Sequence, residues 1–470
     1  MKYIITIVVC LFANLTYTQD QAWVRTFGGS NSEYARDILV CANGDVLILG
    51  ATSSDDINQS QFYLARLDAD LNCIWSKSLG DAGIDNAESI AEATDGSIYA
   101  VGTFLNLTNM SYDGRIYKLD SEGNQLWSTS IENEGWDFLT EAACKSDGSL
   151  VVAGYRQGDY AVGTYFWIDA DGTVIDQYEL TGDGDYKVSA LAIDANDNVY
   201  STVNAVPIFT DLPLGIVIKM EEDPDFLYQA SFFDGMGTFL YDIDVRNDSA
   251  AVCGAFLNDD ETYAAKLIML DGQLSTLWED QQTVPDSYLM TGVTFCSSGL
   301  LFAGKTNSYG AGGMDIMIQH RDVYSNWLMG PTFGSPGEED ITDVVFHPNG
   351  AVYFLGQSSY YGLGDQDMYV VKLQDDGITS FYDLDELFGQ GCFNVGVENV
   401  EPNDHSVVVH PDFIELRGWE ENPSYVLYDV FGRVVSRGQN QAAIRLEGLS
   451  SGYYLFVCDG YTKRFYHGKN

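Results

Sequence analysis

The sequence predicts an all-β fold: a seven-bladed β-propeller followed by a small C-terminal β-domain. Three observations predict it. A unit of about 50 residues recurs seven times along the chain. Each unit holds four short apolar runs separated by Gly- and Asp-rich turns. Residues 404–470 then abandon both the repeat and the charge balance of what precedes them.

The units start at Ala35, Ala87, Leu139, Val188, Leu240, Met290 and Ile341. Each reaches a turn nine residues later, at Gly44, Gly96, Gly148, Asp197, Ser249, Gly299 and Gly350. Successive turns are 49 to 52 residues apart, too regular for coincidence. A second run follows (DVLILG, SIYAVG, SLVVAG, NVYSTV, AAVCG, LLFAG, AVYFLG) and closes on Gly50, Gly102, Gly154, Gly254, Gly304 or Gly356, with Val203 in the fourth unit. After a variable polar loop comes a third run, such as FYLARLD, RIYKLD or DMYVVKL. A turn such as DADLN, DSEGN or DADGT leads to a fourth run, around Trp75, Trp127, Trp278 and Trp327, with Tyr178 and Tyr228 in two units. The runs are too short for helices. Four strands per unit make one propeller blade, which must stack on neighbours to bury its faces. WVRTF at 23–27 is an unaccompanied fourth-strand motif and is expected to pair beside MYVVKL of the last unit, sealing the ring and removing its free edge. The alternative is that residues 378–382 complete that blade.

These units, for example TFGGSNSEYARDILVCANGDVLILGATS and SSYYGLGDQDMYVVKL, resemble the bacterial β-propeller repeats of secreted proteins, and FYLARLD resembles the related delta-60 type repeat. The resemblance covers about residues 22–378 and implies a fold, with almost no indication of function.

The N-terminus reads as a signal peptide over 1–18. Lys2 precedes an apolar stretch at 4–12 too short to span a membrane, and Thr16 and Thr18 are small enough to set cleavage before Gln19. No later segment has the length of a transmembrane helix. Together with 23 Lys+Arg against 69 Asp+Glu, a formal charge of −46, these features predict a secreted or cell-surface protein. Such a charge excludes nucleic acid and disfavours anionic lipid. Of eight Cys, seven remain after Cys10, with no CxxC; Cys41, Cys144, Cys253 and Cys296 read as small buried residues in strands.

Residues 379–403 read as a linker between the propeller (19–378) and the C-terminal piece. Residues 404–470 carry 7 Lys+Arg against 8 Asp+Glu, so the acidity belongs to the propeller. Their alternation suggests a small β-sandwich. YDVFGRVV, LSSGYYLFV and a final basic strand resemble the type IX secretion C-terminal sorting domain of Bacteroidota, through Asp429, Gly432, Arg433, Leu449, Gly452, Tyr453, Lys463 and Lys469. The resemblance implies a partner, the type IX secretion machinery, and release or surface attachment after export. The plainer reading is an accessory module such as a carbohydrate-binding domain.

No catalytic motif stands out. The five His are His320, His347, His405, His410 and His467, only two of them in the propeller. HExxH and sialidase-type SxDxGxTW signatures are not present, and neither a GxSxG elbow nor a P-loop occurs in a strand-to-helix setting: GLSSG at 448–452 and GLLFAGKT at 299–306 lie among β-runs. One alignment rises above scatter: Asp37, Glu141, Asp242 and Asp343 share a position in the first strand, which lines the channel of a propeller. Just before it lie Glu33, Tyr34, Asp85, Asp137, Phe138, Tyr186, Phe239, Tyr288 and Asp340, expected to gather around the channel mouth. Such a rim suits stacking on sugars or holding a cation, Ca²⁺ being the candidate; no other cofactor is suggested. The plainer reading is that these acids cap turns and bond backbone amides. The DADG-like turns lack the remaining ligands of a calcium loop and read as hairpin turns.

Three functions follow: a non-enzymatic binding or adhesion module for an extracellular glycan or protein, a polysaccharide hydrolase or lyase using channel-mouth carboxylates, and a structural spacer. The missing catalytic set favours the first. A cluster of acids with raised pKa values would favour the second.

Overall fold

The computed structural model describes residues 23–29, 31–54, 60–80, 83–221, 227–282, 288–307, 313–329, 332–333, 338–359, 365–374, 394–395 and, in the C-terminal region, 406–409, 413–417, 424–429, 434–439, 443–446, 452–458 and 461–467. The leader expected at 1–18, most of the 379–403 linker and the alternative closing segment at 378–382 lie outside the described residues.

Seven antiparallel sheets with four main strands each form a seven-bladed propeller. Blade 1 runs Glu33–Val40, Val46–Thr52, Gln61–Leu67 and Cys73–Leu79, from inner to outer strand. The inner strands of blades 2 to 7 are Asp85–Glu92, Trp136–Cys144, Gly184–Ile193, Thr238–Arg246, Tyr288–Phe295 and Glu339–Phe346. They touch one another in sequence order, and the seventh touches the first. In blade 7, Trp23–Phe27 runs antiparallel to Asp367–Gln374, with Trp23 opposite Lys372 and Phe27 opposite Met368.

Hydrophobic burial holds the ring. Seven apolar clusters lie among the described residues, each shared by two adjacent blades. The cluster joining blade 7 to blade 1 packs Tyr353, Leu355, Met368 and Val370 against Ala35, Ile48, Tyr63 and Ala65, with Phe27 fully buried among them. Each large side chain so buried contributes about 1.5–3 kcal/mol.

Polar latches repeat on top of this packing, each reaching the hairpin turn of the next blade. The Trp75 indole donates to Ser121 O at 3.1 Å, Trp127 to Ala170 O at 3.1 Å and Trp278 to Val323 O at 2.9 Å. Buried cations on the third strands do the same: Arg66 Nη1 to Ser121 O at 3.0 Å, Lys118 Nζ to Ala170 O at 3.1 Å and Lys219 Nζ to Gly272 O at 2.9 Å. Blade 7 latches onto blade 1 through Tyr353 Oη to Ala69 O at 2.7 Å, Lys372 Nζ to Asp70 Oδ1 at 2.8 Å and His347 Nε2 against Gly44 O at 2.9 Å. The turns that receive the latches are shaped by their own leading Asp. Asp68, Asp120, Asp169, Asp271 and Asp322 each accept backbone amides two and four residues on. These are Asx turns, with the acid occupied by local amides. The tightness of the turn forces Leu71 (φ 62°) and Leu274 (φ 60°) into the left-handed region.

The recurring glycine at the end of the second strand also has a cause. Every inner strand carries a β-bulge at the same place, between Ala35 and Asp37 in blade 1 and between Leu139 and Glu141 in blade 3. The bulge drives an inner-strand carbonyl toward the second strand. A Cβ on Gly154 would sit 1.9 Å from Phe138 O, and one on Gly102 2.0 Å from Asn86 O. Blade 4 keeps its bulge with Val203 at that place. Cys41 and Cys296 are buried as expected but sit one residue beyond their strands.

In the C-terminal region the strands form two sheets, one ordering Ser406–Val409, Phe413–Arg417 and Ala443–Arg445, the other Val434–Gln439, Ser424–Asp429, Gly452–Cys458 and Tyr461–His467. Asp429, Gly452, Tyr453 and Lys463 fall in these strands; Gly432, Arg433, Leu449 and Lys469 lie outside the described residues.

Candidate functional site

The bulge determines what faces the channel. It inserts one residue (Arg36, Glu88, Thr140, Ser189, Tyr241, Thr291 and Thr342 in turn), so the residue after it is Asp37, Ser89, Glu141, Ala190, Asp242, Gly292 or Asp343. These positions form a ring around the axis. The amide one residue further on is taken by the ring residue of the preceding blade wherever that residue has an acceptor in reach. Asp37 Oδ2 accepts from Ile90 N at 2.7 Å and from Ser89 Oγ at 2.8 Å. Ser89 Oγ accepts from Ala142 N at 3.3 Å, Asp242 Oδ2 from Val293 N at 2.7 Å and Asp343 Oδ2 from Ile38 N at 3.3 Å. Blades 4 and 6 offer only Ala190 and Gly292. There the orphaned amides, Ile243 N and Val344 N, turn to their own Asp242 and Asp343, at 2.7 and 2.6 Å. The bulged hydroxyls add a second tie, with Thr140, Ser189 and Thr291 donating to Val188 O, Leu240 O and Ile341 O of the next blade at 3.0, 2.8 and 2.8 Å.

The structure therefore brings Asp37, Glu141, Asp242 and Asp343 together and gives three of them a hydrogen bond from the next blade's backbone amide. Each keeps some exposed surface along the channel, yet the blades enclose it. Burial pushes the Asp242 carboxyl up to about 7. It raises Asp37, and it raises Glu141 and Asp343 well above the ordinary range with help from the neighbouring carboxylates. The bulged Glu88 rises to about 7 by burial, opposed by Arg36 at 3.3 Å. Among the described residues, no group of three His, Cys, Asp or Glu is arranged to hold a metal ion.

The expected rim differs. Glu33, Asp85, Asp137 and Tyr288 are buried between blades. Glu33 accepts from Thr52 Oγ1 and Gly29 N, both at 2.8 Å, and Asp137 accepts from Asn133 N at 2.7 Å. The extra bulge residue shifts the alternation, so the expected Tyr34, Phe138, Phe239 and Asp340 stay partly or fully exposed while those neighbours are buried, and Asn86 and Lys187 join them. Tyr186 is half-buried and packs against the cluster shared by blades 3 and 4. Asp340 pairs with Lys305 at 2.7 Å beside a cavity of about 270 Å³ lined also by Glu338, Gln357 and Gln366. Phe239 lies nearly parallel to Tyr241, centroids 6.4 Å apart.

An aromatic shelf, of which the sequence pointed only to Phe138, crosses blades 2 to 4. Phe138 stacks on Tyr155 (4.9 Å) and on Tyr112 (5.8 Å), Trp136 stands edge-on to Tyr112 at 5.5 Å, and Lys187 Nζ lies 4.8 Å from the Tyr155 ring centre. Trp136 is 46% exposed. The only signal in the sequence was the aromatic character of the strand ends. The two propeller histidines are tied into turns: His320 Nε2 meets Ser298 Oγ at 2.8 Å, and His347 Nδ1 accepts from Asn349 N at 3.0 Å.

No model of a known protein family matches this chain, and no curated protein matches it. Solved structures do. The β-propeller domain of the Trilobed protease from Pyrococcus furiosus is 13% identical over 75% of this chain and 99% of its own, with a TM-score of 0.44. A protein of unknown function from Dyadobacter fermentans is 9% identical over 75% and 98%, with a TM-score of 0.44. Polysaccharide lyase Uly1 is 10% identical over 77% and 94%, with a TM-score of 0.47. Identities this low assign no activity to this chain.

Proposed function

We propose that this chain is an exported extracellular binding protein whose rigid propeller presents a contact surface on its upper face, the end at which the inner strands begin. The observation that carries this reading is a set of exposed apolar and aromatic side chains on the loops of blades 2 to 5, Trp136 among them, next to channel carboxylates that mainly tie blade to blade. In this reading residues 1–18 direct export, residues 404–470 form a sandwich-like sorting module of the type IX route, and Trp23–Phe27 seals the ring. The type IX resemblance and the signal-peptide pattern support that route. The ligand is an extracellular glycan or protein.

One observation favours a second reading, an extracellular polysaccharide hydrolase or lyase. The channel holds a cluster of carboxyls with raised pKa values, and Glu141 makes no blade-to-blade amide bond like those of its three partners, which leaves it the best placed general acid. The two readings separate on the full mature chain incubated with a panel of extracellular polysaccharides and displayed peptides. Saturable binding without new sugar ends, lost on Trp136→Ser, is expected. Product formation abolished by Glu141→Gln, with binding intact, would replace the binding reading by the enzymatic one.

A further inference from the structure

The upper face of blades 2 to 5 is one connected ribbon of loops. In blades 4 and 5 the loop before the inner strand is bonded both to the preceding blade's loop between its second and third strands and to that same loop of its own blade. Ala161 N donates to Asp185 Oδ1 at 2.7 Å, Ile208 N to Asp183 O at 3.0 Å, and Thr238 N to Pro213 O at 3.0 Å. Leu257 N donates to Gly237 O at 2.9 Å, and Tyr112 meets Trp136 at 5.5 Å. The ribbon is therefore a single scaffolded surface.

Large apolar side chains project from it. Phe209 is 88% exposed and Met110 65%, and Trp136, Tyr160, Ile208 and Phe233 are exposed as well. Exposed apolar groups held on a rigid frame mark an interaction site. Interleaved with them are the exposed acids Glu132, Glu134, Asp159, Asp183, Asp211 and Asp259. Residues 105–112, 131–138, 157–161, 181–186, 206–214, 232–239 and 257–263 contain no Lys or Arg. The nearest cations are engaged: Arg156 with Glu179 at 2.8 Å, Lys187 over Tyr155, and buried Lys266 with Asp234 and Glu279.

Resting on the binding reading above, we propose that this ribbon docks a cationic polypeptide segment in which Lys or Arg alternate with large apolar side chains. Charge complementarity selects that occupant. Apolar anchors would seat beside Phe209, Met110 and Trp136 while cations meet the interleaved carboxylates. A second copy of the chain brings the same excess of negative charge, and an anionic lipid surface is repelled. Met110 and Ile208 offer a sugar no aromatic face, which sets a glycan second.

The test is selection of a phage-displayed random-peptide library on the immobilised full mature chain, followed by affinity measurements on the selected peptides. Enrichment for Lys or Arg among aromatic and aliphatic residues is expected. So is a loss of about tenfold or more in affinity for Phe209→Ser and for Trp136→Ser, with weakening as salt rises and an unchanged melting transition. Selected peptides that are neutral or acidic yet lost on Trp136→Ser overturn the cationic partner and leave the binding surface standing. The same holds for a neutral glycan so affected. Selected ligands indifferent to both substitutions overturn the inference and the binding reading together.

Discussion

Removing the Asp242 carboxylate tests the account of the channel. In Asp242→Ala, Val293 N in blade 6 and Ile243 N in blade 5 both lose their acceptor, each bond being 2.7 Å long. An unsatisfied buried amide costs about 1–3 kcal/mol, so the loss is about 2–4 kcal/mol once partial access to channel water is allowed for. An opposing effect depends on pH. Burial raises this carboxyl from 3.8 to about 7, so the folded state binds the proton more tightly than the unfolded chain. Stability from this group is full below about 4 and is lost as pH climbs toward 7. At about 1.36 kcal/mol per pKa unit the ceiling is about 4 kcal/mol, reduced by solvent along the open channel. Alanine removes that penalty together with the bonds. Urea unfolding at pH 5 and pH 8 is therefore expected to show the variant destabilised by about 1–3 kcal/mol at pH 5, where about 1 kcal/mol of the penalty is already present, and by about half as much or less at pH 8. Asp242→Asn, which keeps one acceptor oxygen, falls between wild type and alanine at pH 5 and matches or exceeds wild type at pH 8. A destabilisation that grows with pH would mean that the ionised carboxylate is the favoured form, and would refute the reasoning.

Gly154→Ala places a methyl 1.9 Å from Phe138 O and is expected to cost about 3 kcal/mol, read as a lower urea midpoint. Trp127→Ala removes the indole bond to Ala170 O and the edge contact with Tyr99 at 5.9 Å; a loss of about 3 kcal/mol is expected by the same measurement. Deleting residues 20–30 removes the strand that buries Val24 and Phe27 and is expected to lower stability by about 4 kcal/mol from those two side chains alone. An unchanged melting transition would show that Trp23–Phe27 does not seal the ring.

Much of the ring could be read from spacing. The repeated glycine, the Asp-led turns and the Trp of the fourth strand recur because each answers the same local demand in most blades: a bulge to clear, a turn to cap, a carbonyl to reach. The aligned acids Asp37, Glu141, Asp242 and Asp343 were legible for the same reason. The rim was legible only in part, and the cause is the bulge. Glu33 and Tyr34 were both expected at the mouth; the inserted Arg36 reverses the alternation, so that Glu33 is buried and Tyr34 exposed. A period-two pattern contains no mark of such an insertion. The shelf of Tyr112, Trp136, Phe138 and Tyr155 was illegible because its members come from two blades and meet only when the blades stack. The acids' chief role was hidden similarly: Asp242 and Asp343 bond their own amides as well as the next blade's because the preceding blades supply only Ala190 and Gly292.

The central claim is that the propeller binds at its upper face and does not turn over a substrate. The most direct measurement is simultaneous detection of bound ligand and of new sugar ends for wild type, Trp136→Ser and Glu141→Gln full-length mature chains. The account predicts binding that Trp136→Ser abolishes and Glu141→Gln leaves intact, with no product from any of the three. Product formed by wild type and lost in Glu141→Gln would contradict it.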